Sequence, residues 1–183
     1  MLRSRRRPAP IGRSIPDYVF TLDDDLLPVS ARLIEQCVAR SRAERDRRII
    51  GRTGIVLGRG PRYYKCGETR GFNASHDTYA DVIKGRFMFA PTRLLERVPL
   101  HFSAYQGRGD DIWISLHTAE SREHHLIPAF IHGSFEQLPE GGVGLASNKD
   151  HNLKRDMVIS DMIAKHQVTW KKPRVKERFH RAV

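Results

Sequence analysis

An apolar segment that runs directly into three consecutive carboxylates is the feature that most constrains the fold of this chain. Val19-Phe20-Thr21-Leu22 has the composition of a buried β-strand, Asp23-Asp24-Asp25 follows it at once, and Pro28 stops the strand. Three adjacent like charges repel one another, and burying them costs free energy unless a cation neutralises them. The pattern therefore predicts a strand that ends in a cation-binding site or in an acidic turn that caps the next helix.

The length and composition are those of one folded domain. The chain has 183 residues, of which 39% are hydrophobic, and this is enough to build a substantial core. We expect no transmembrane segment, because no run approaches the roughly 18 apolar residues that span a bilayer. The two cysteines, Cys37 and Cys66, form neither a metal-binding spacing nor a disulfide framework. These features predict a cytoplasmic protein, with peripheral attachment to a membrane surface as an option.

The net charge is strongly positive and is concentrated toward both ends. The formal charge is +11, with an arginine-rich start and a second basic cluster at residues 171–178. We expect residues 1–14 and 169–183 to be basic, disordered tails around a domain that spans residues 15–168. Such an excess favours anionic partners, so a nucleic-acid-binding protein is an alternative function. That partner is disfavoured because no helix–turn–helix, zinc or RNA-binding signature is present.

The order of predicted strands and helices along the chain indicates an α/β domain with a mixed sheet flanked by helices. Strands are predicted at residues 19–22, 49–58, 81–89 and 126–131. Helices are predicted from Ser30, as the cap, to about Arg45, from Thr92 through Arg97, from Asp110, and from Asn152 to about His166. Gly85, inside the third of these strands, indicates a close backbone approach or a bulge. Strands that alternate with helices point to the α/β class.

A second acidic motif, Gly109-Asp110-Asp111-Ile112-Trp113, follows the first by 85 positions, counted from Asp25 to Asp110. The order of these features, over about residues 15–132, resembles that of glycosyltransferases of the GT-A fold, either family-2-like or exostosin-like. The resemblance implies a partial GT-A, Rossmann-like sheet. Since only 22 residues precede Asp23, it also implies that the usual N-terminal nucleotide-recognition part is missing or that a partner chain completes the fold.

In GT-A enzymes an Asp-x-Asp motif at a strand end holds a divalent cation on the diphosphate of a nucleotide sugar. By this resemblance Asp25 is expected to contact Mn²⁺ or Mg²⁺ directly. Asp23 would coordinate through water or hold the sugar–ribose portion of the donor, and Asp24 would point away or cap. Such sites can add a histidine from later in the chain as a ligand, for which His132 and His151 are the candidates. Any single histidine is more often a surface or core residue.

The later acidic motif of these enzymes begins a helix on the acceptor side. By resemblance Asp111, with Asp110 as the close second choice, would remove the proton from an acceptor hydroxyl, or would position the acceptor if configuration is retained. The expected function is metal-dependent transfer of a sugar from a nucleotide sugar, most often a UDP-sugar, to a glycan or another hydroxyl acceptor. Two alternatives are open: the pair caps a helix and meets its dipole, or the domain is a non-catalytic remnant that binds a partner.

Overall fold

The computed structural model describes residues 15–57, 63, 68–71, 75–99, 109–119, 124–139 and 150–166. Within these ranges the chain is mixed α/β, so the predicted class is confirmed at that level. No helix in the described ranges is both long and apolar enough to cross a membrane. The two tails predicted at residues 1–14 and 169–183 lie outside the described residues.

A five-stranded mixed sheet forms the centre of the fold. Its strands, in spatial order, are β1 (Tyr18–Leu22), β8 (Phe87–Pro91), β3 (Ile50–Gly51), β9 (His125–Ile127) and β6 (Thr78–Ala80). Strand β8 is antiparallel to both β1 and β3, and β3 is parallel to β9. The strands β1, β3 and β9 therefore run in one direction, and their carboxyl ends meet at the same edge of the sheet.

Two smaller sheets accompany the central one. Strands β5 (Glu68–Arg70), β4 (Gly54–Val56) and β7 (Val82–Ile83) form an antiparallel sheet in that order. Strand β2 (Leu26–Pro28) pairs with β10 (Phe135–Gln137). The described helices are α1 (Leu33–Ala43), α2 (Thr92–Leu95), α3 (Asp110–Thr118) and α4 (His151–His166), with a 3₁₀ helix at Ala129–Ser134.

The core consists of two apolar clusters. One joins the central sheet to α1, where Leu33 and Cys37 are buried. The other joins β4 and β7 to α3 and α4, with Ile112 and Val158 at its centre. Burying one such side chain contributes about 1.5–3 kcal/mol. The second cluster fixes α3, and with it the Asp110–Asp111 pair, against the turn that connects β7 to β8.

Three predicted strands are corrected by the structure. The segment 49–58 divides into β3 and β4, and the segment 81–89 divides into β7 and β8, each half in a different sheet. A Cβ at Gly51 would lie 2.1 Å from Ile83 Cγ2, so glycine there allows the two sheets to approach closely. The third strand ends at Ile127 because the 3₁₀ helix begins after Pro128. Short apolar runs do not reveal such changes of sheet.

The strand before the acidic residues was predicted to be buried, but it is partly exposed to solvent. It forms β1, an edge strand, and the side chain of Phe20 is 51% exposed. A composition suited to burial does not determine whether a strand lies in the middle or at the edge of a sheet. The predicted cap at Ser30 is also wrong, because α1 begins at Leu33 after Arg32, with no side-chain cap.

Candidate functional site

Asp23, Asp24 and Asp25, which we call the acidic turn, connect β1 to β2 at the carboxyl edge of the central sheet. The amide of Asp23 donates to the carbonyl of Arg86 at 3.0 Å, and the amide of Leu26 donates to the carbonyl of Asp23 at 3.3 Å. Asp23 and Asp24 are exposed, whereas Asp25 is partly buried. The environment of Asp25 therefore differs from that of the other two carboxylates.

The second motif begins α3, as predicted. Gly109 precedes the helix in the left-handed conformation, with φ of 84°. A Cβ on this residue would lie 3.0 Å from Val158 Cγ2, so glycine satisfies both the backbone conformation and the close packing on α4. Successive helical side chains diverge by about 100°. Consequently Asp110 lies at the surface while Asp111 lies inside the protein.

Asp111 is a buried ion-pair partner. Its Oδ2 accepts a hydrogen bond from Arg155 Nη2 at 2.6 Å and a longer one from the Gly85 amide at 3.3 Å. Arg155 Nη2 also donates to the Tyr63 hydroxyl at 2.6 Å. Burial lowers the pKa of Arg155, but the Asp111 carboxylate and Tyr63 raise it above its ordinary value. The arginine is therefore charged and holds the Asp111 carboxylate in place.

The turn Lys84-Gly85-Arg86, between β7 and β8, brings the two acidic motifs together. It contacts the acidic turn through the Arg86 carbonyl and contacts Asp111 through the Gly85 amide. Lys84 is half-buried, and its pKa is lowered by burial and by the charges of Arg155 and Arg86, while Asp111 opposes this effect. The turn therefore contacts both motifs, while Gly85 itself is not at a close approach, because a Cβ there would lie 3.6 Å from Asp111 Cβ, an ordinary contact.

Asp23 and Asp110 concentrate negative charge on the solvent side of this turn. The pKa of Asp23 is raised by partial burial and then by Asp25, with smaller increases from Asp24 and Asp110, and Arg86 opposes them. The pKa of Asp110 is raised by partial desolvation and by Asp111. Asp23 and Asp110, which are 87 positions apart in sequence (110 − 23), are therefore close enough for the charge of Asp110 to act on Asp23. A divalent cation would stabilise their ionised forms.

Asp25, the carboxylate that the resemblance assigns to the metal, is paired with Arg86 in the structure. Arg86 Nη1 also donates to Gln137 Oε1 at 3.3 Å. The other oxygen of Asp25, Oδ1, is buried and has no hydrogen-bond partner in the described part of the chain. Asp23 and Asp24 make no ion pair there. Those two residues fit a cation that is held by one or two carboxylates together with substrate phosphates.

The two histidine candidates lie in different places. His132 is in the 3₁₀ helix after β9, and its pKa is lowered by partial burial and by the charge of Arg52. His151 is the first residue of α4. In the ranges that the structure describes, no three side chains of His, Cys, Asp or Glu are grouped as a metal site. The structure brings the aspartates of the two motifs together, and it does not add a histidine to them.

Four cationic residues at the site were not assigned from the sequence. Arg155 is buried against Asp111. The other three cationic residues interrupt the predicted strands 49–58 and 81–89: Arg52, Lys84 and Arg86. In the turn 84–86 only Gly85 was singled out from the sequence. Arginine and lysine are common at the ends of strands and in turns, so residue type alone does not identify them as part of a site.

Comparison with protein-family models gave none that matches this chain, and comparison with characterised proteins gave no similar sequence. The arrangement defines a mixed α/β domain with a charged site at the carboxyl edge of its central sheet. Two acidic motifs meet at this site, together with the turn 84–86 and its two cationic side chains. This is the usual location of ligand sites in α/β sheets.

Proposed function

We propose that this domain is a metal-dependent glycosyltransferase of the GT-A type and that the turn 84–86 lies between its donor and acceptor sides. The observation that supports the proposal most is the convergence of the two acidic motifs on this turn. The resemblance predicts such a pair, one motif for the donor diphosphate and one for the acceptor. The location at the carboxyl edge of β1, β3 and β9 supports it as well.

On the donor side, Asp23 and Asp24 would hold Mn²⁺ or Mg²⁺. The bound cation would supply charge stabilisation for the departing nucleoside diphosphate. The neighbouring carboxylates make the electrostatic potential at Asp23 more negative, and this favours the binding of a cation. The donor would be a nucleotide sugar, with a UDP-sugar as the first choice by resemblance. Recognition of its base would need residues beyond these two motifs, which a partner chain could contribute.

On the acceptor side, the geometry favours Asp110 over Asp111 as the base. Asp110 is at the surface, and its raised pKa makes it a better proton acceptor than an ordinary carboxylate. Asp111 is occupied by Arg155 and by backbone amides. In an inverting reaction Asp110 would take the proton of the acceptor hydroxyl as its oxygen attacks the sugar, and the nucleoside diphosphate would leave. Asp111 would hold the start of α3 in position.

The first test is calorimetric binding of UDP with Mn²⁺ and without it. We expect saturable binding that needs Mn²⁺ and that weakens at least about tenfold in Asp23→Asn, because a metal-bound diphosphate depends on this carboxylate. Asp17→Asn is the matched control, since Asp17 is an exposed aspartate at the other end of β1. Asp110→Asn should retain UDP binding, because its role concerns the acceptor.

Equal UDP affinity in the native chain and in Asp23→Asn would contradict a metal–diphosphate site at the acidic turn. A folded chain that binds no UDP with Mn²⁺ present would show that this chain by itself is not a working transferase. The remnant alternative would then describe this domain better. The melting temperature of each variant shows whether it is folded under the conditions of the titration.

A further inference from the structure

Two arginines flank Asp25 at the carboxyl edge of the central sheet. Arg86 is the residue before β8 and pairs with Asp25 Oδ2. Arg52 is the residue after β3, and the pairing of Gly51 with Met88 places it beside the start of β8. The pKa of Arg52 is lowered by burial and by the charge of Arg86, and it is raised by Asp25. The strand pairing and the Arg86–Asp25 ion pair therefore place the three charged groups near one another, and the direction of these effects agrees.

The two arginines differ in their partners. Arg52 makes no ion pair within 4.0 Å in the described structure, and its Nη1 is buried there without a hydrogen-bond partner. Its guanidinium lies 5.9 Å from the centre of the Phe135 ring. His132 adds no negative charge, and its Nε2 also has no partner among the described residues. Asp25 therefore pairs with Arg86 and leaves Arg52 without an ion-pair partner among the described residues. A partly buried guanidinium without a partner costs free energy until an anion meets it.

We propose that Arg52 and Arg86 form a binding site for a phosphate group and that Asp25 competes with this phosphate for Arg86. Two planar guanidinium groups match the oxygens of a phosphate and can bind it through paired hydrogen bonds. The inference rests on the proposed function only where it identifies the phosphate as the diphosphate of a nucleotide sugar. Phosphate binding by the two arginines is a separate property of the fold.

The competition gives Asp25 a role different from that of a permanent metal ligand. When a phosphate takes its place at Arg86, the Asp25 carboxylate is released beside Asp23 and Asp24. The acidic turn then has one more carboxylate for a cation. Because linkage is reciprocal, binding of the anion and binding of the cation strengthen each other. Without a cation, however, Asp25 only opposes the phosphate.

The test is calorimetric titration of the full chain with pyrophosphate, in phosphate-free buffer with EDTA. We expect binding without metal, at least about tenfold weaker in Arg52→Gln and severalfold stronger in Asp25→Asn. Arg52→Lys, which retains the charge but not the paired hydrogen bonds, should be intermediate. Arg93→Gln is the matched control, because Arg93 is exposed and follows the opposite end of β8. Melting temperatures establish that each variant is folded.

Absence of metal-free pyrophosphate binding, or equal affinity in Arg52→Gln and Arg93→Gln, would overturn the proposal. Weaker binding in Asp25→Asn would do so too, because the carboxylate would then assist the anion rather than compete with it. Pyrophosphate binding without any Mn²⁺-dependent UDP binding would support the arginine site and count against the transferase. A different outcome would count against the arginine site alone. In it, Mn²⁺-dependent UDP binding has the same affinity in Arg52→Gln as in the native chain, and pyrophosphate does not bind without metal.

Discussion

The acidic turn and the Asp110–Asp111 pair are both runs of carboxylates at the boundary of an apolar element, and the fold treats them differently. The acidic turn follows an edge strand, so Asp23 and Asp24 reach solvent and repel each other. Asp111 lies between α3 and α4, where Arg155 neutralises it. Carboxylates of the same type are therefore exposed to solvent and to one another in one motif, and buried in an ion pair in the other.

The difference teaches that the partner of a carboxylate decides its role. Asp111 forms an ion pair with a buried arginine, Arg155, so removing either one leaves the other charge in the core without its paired partner. Asp23 has an excess of negative neighbours, so removing its charge relieves repulsion. The same substitution should therefore have opposite effects on stability in the two motifs. The predictions below test that contrast, beginning with the largest effect.

Replacement of Asp111 should be the most damaging change. Asp111→Ala leaves Arg155 buried without its carboxylate, and losing one partner of a buried pair costs about 3–5 kcal/mol. Asp110→Ala, at the surface, should change the free energy of unfolding by no more than about 0.5 kcal/mol. Urea unfolding of the two variants and the native chain measures this difference.

Equal losses at the two positions would contradict a buried ion pair between Asp111 and Arg155. A second variant keeps the contrast informative. Asp111→Leu combined with Arg155→Met removes both charges, and it should recover much of the stability that Asp111→Ala loses, because apolar groups of similar size often replace a buried pair well.

Acid should destabilise the fold through His125, a residue of β9 that contacts α3. His125 is fully buried, accepts a hydrogen bond from the Ile49 amide and contacts the Ser115 carbonyl at 2.8 Å. Burial lowers its pKa from 6.5 to about 4. Between these values the unfolded chain binds a proton that the folded chain excludes. Stability should therefore fall with falling pH in this window, by on the order of 3 kcal/mol in total.

Unfolding in urea at several pH values between 7 and 4 measures the slope. His125→Gln should remove most of it, whereas His76→Gln, at an exposed histidine, should leave it unchanged. A slope that persists in His125→Gln would assign the acid sensitivity to other groups.

The smallest expected effect is a gain of stability at the acidic turn. The pKa of Asp23 is raised in the folded protein, so its ionised form is less favourable there than in the unfolded chain. Asp23→Asn should therefore raise the free energy of unfolding at pH 7, by a few tenths of a kcal/mol because solvent screens exposed charges. The difference from the native chain should shrink as falling pH protonates Asp23.

Thermal and urea unfolding at pH 7 and at low pH check the sign of this effect. Asp111→Asn, measured alongside, should lower stability at pH 7. A loss of stability in Asp23→Asn would remove the contrast between the two motifs, because it would show that Asp23 also has a stabilising cation.

The parts of the fold with long patterns were predictable. The helical spacing of residues 152–166 predicted α4 to within one residue, and Asp110 was correctly placed at the start of α3. The division of residues 49–58 and 81–89 between two sheets was not predictable, since an apolar run of this length does not state which strand it will pair with. Of the site, the aspartates were identified, but their cations Arg86 and Arg155 were not.

The sequence alone determined which residues could carry the chemistry: three aspartates after an apolar strand and two more at the start of a helix. Only the tertiary structure decided that Asp111 pairs with Arg155, that Asp25 pairs with Arg86, and that Asp23 and Asp110 repel each other across one turn. Residue type and spacing are local properties of the chain. The state of a charge depends on burial and on the nearest opposite charge, and both are set by segments far away in sequence.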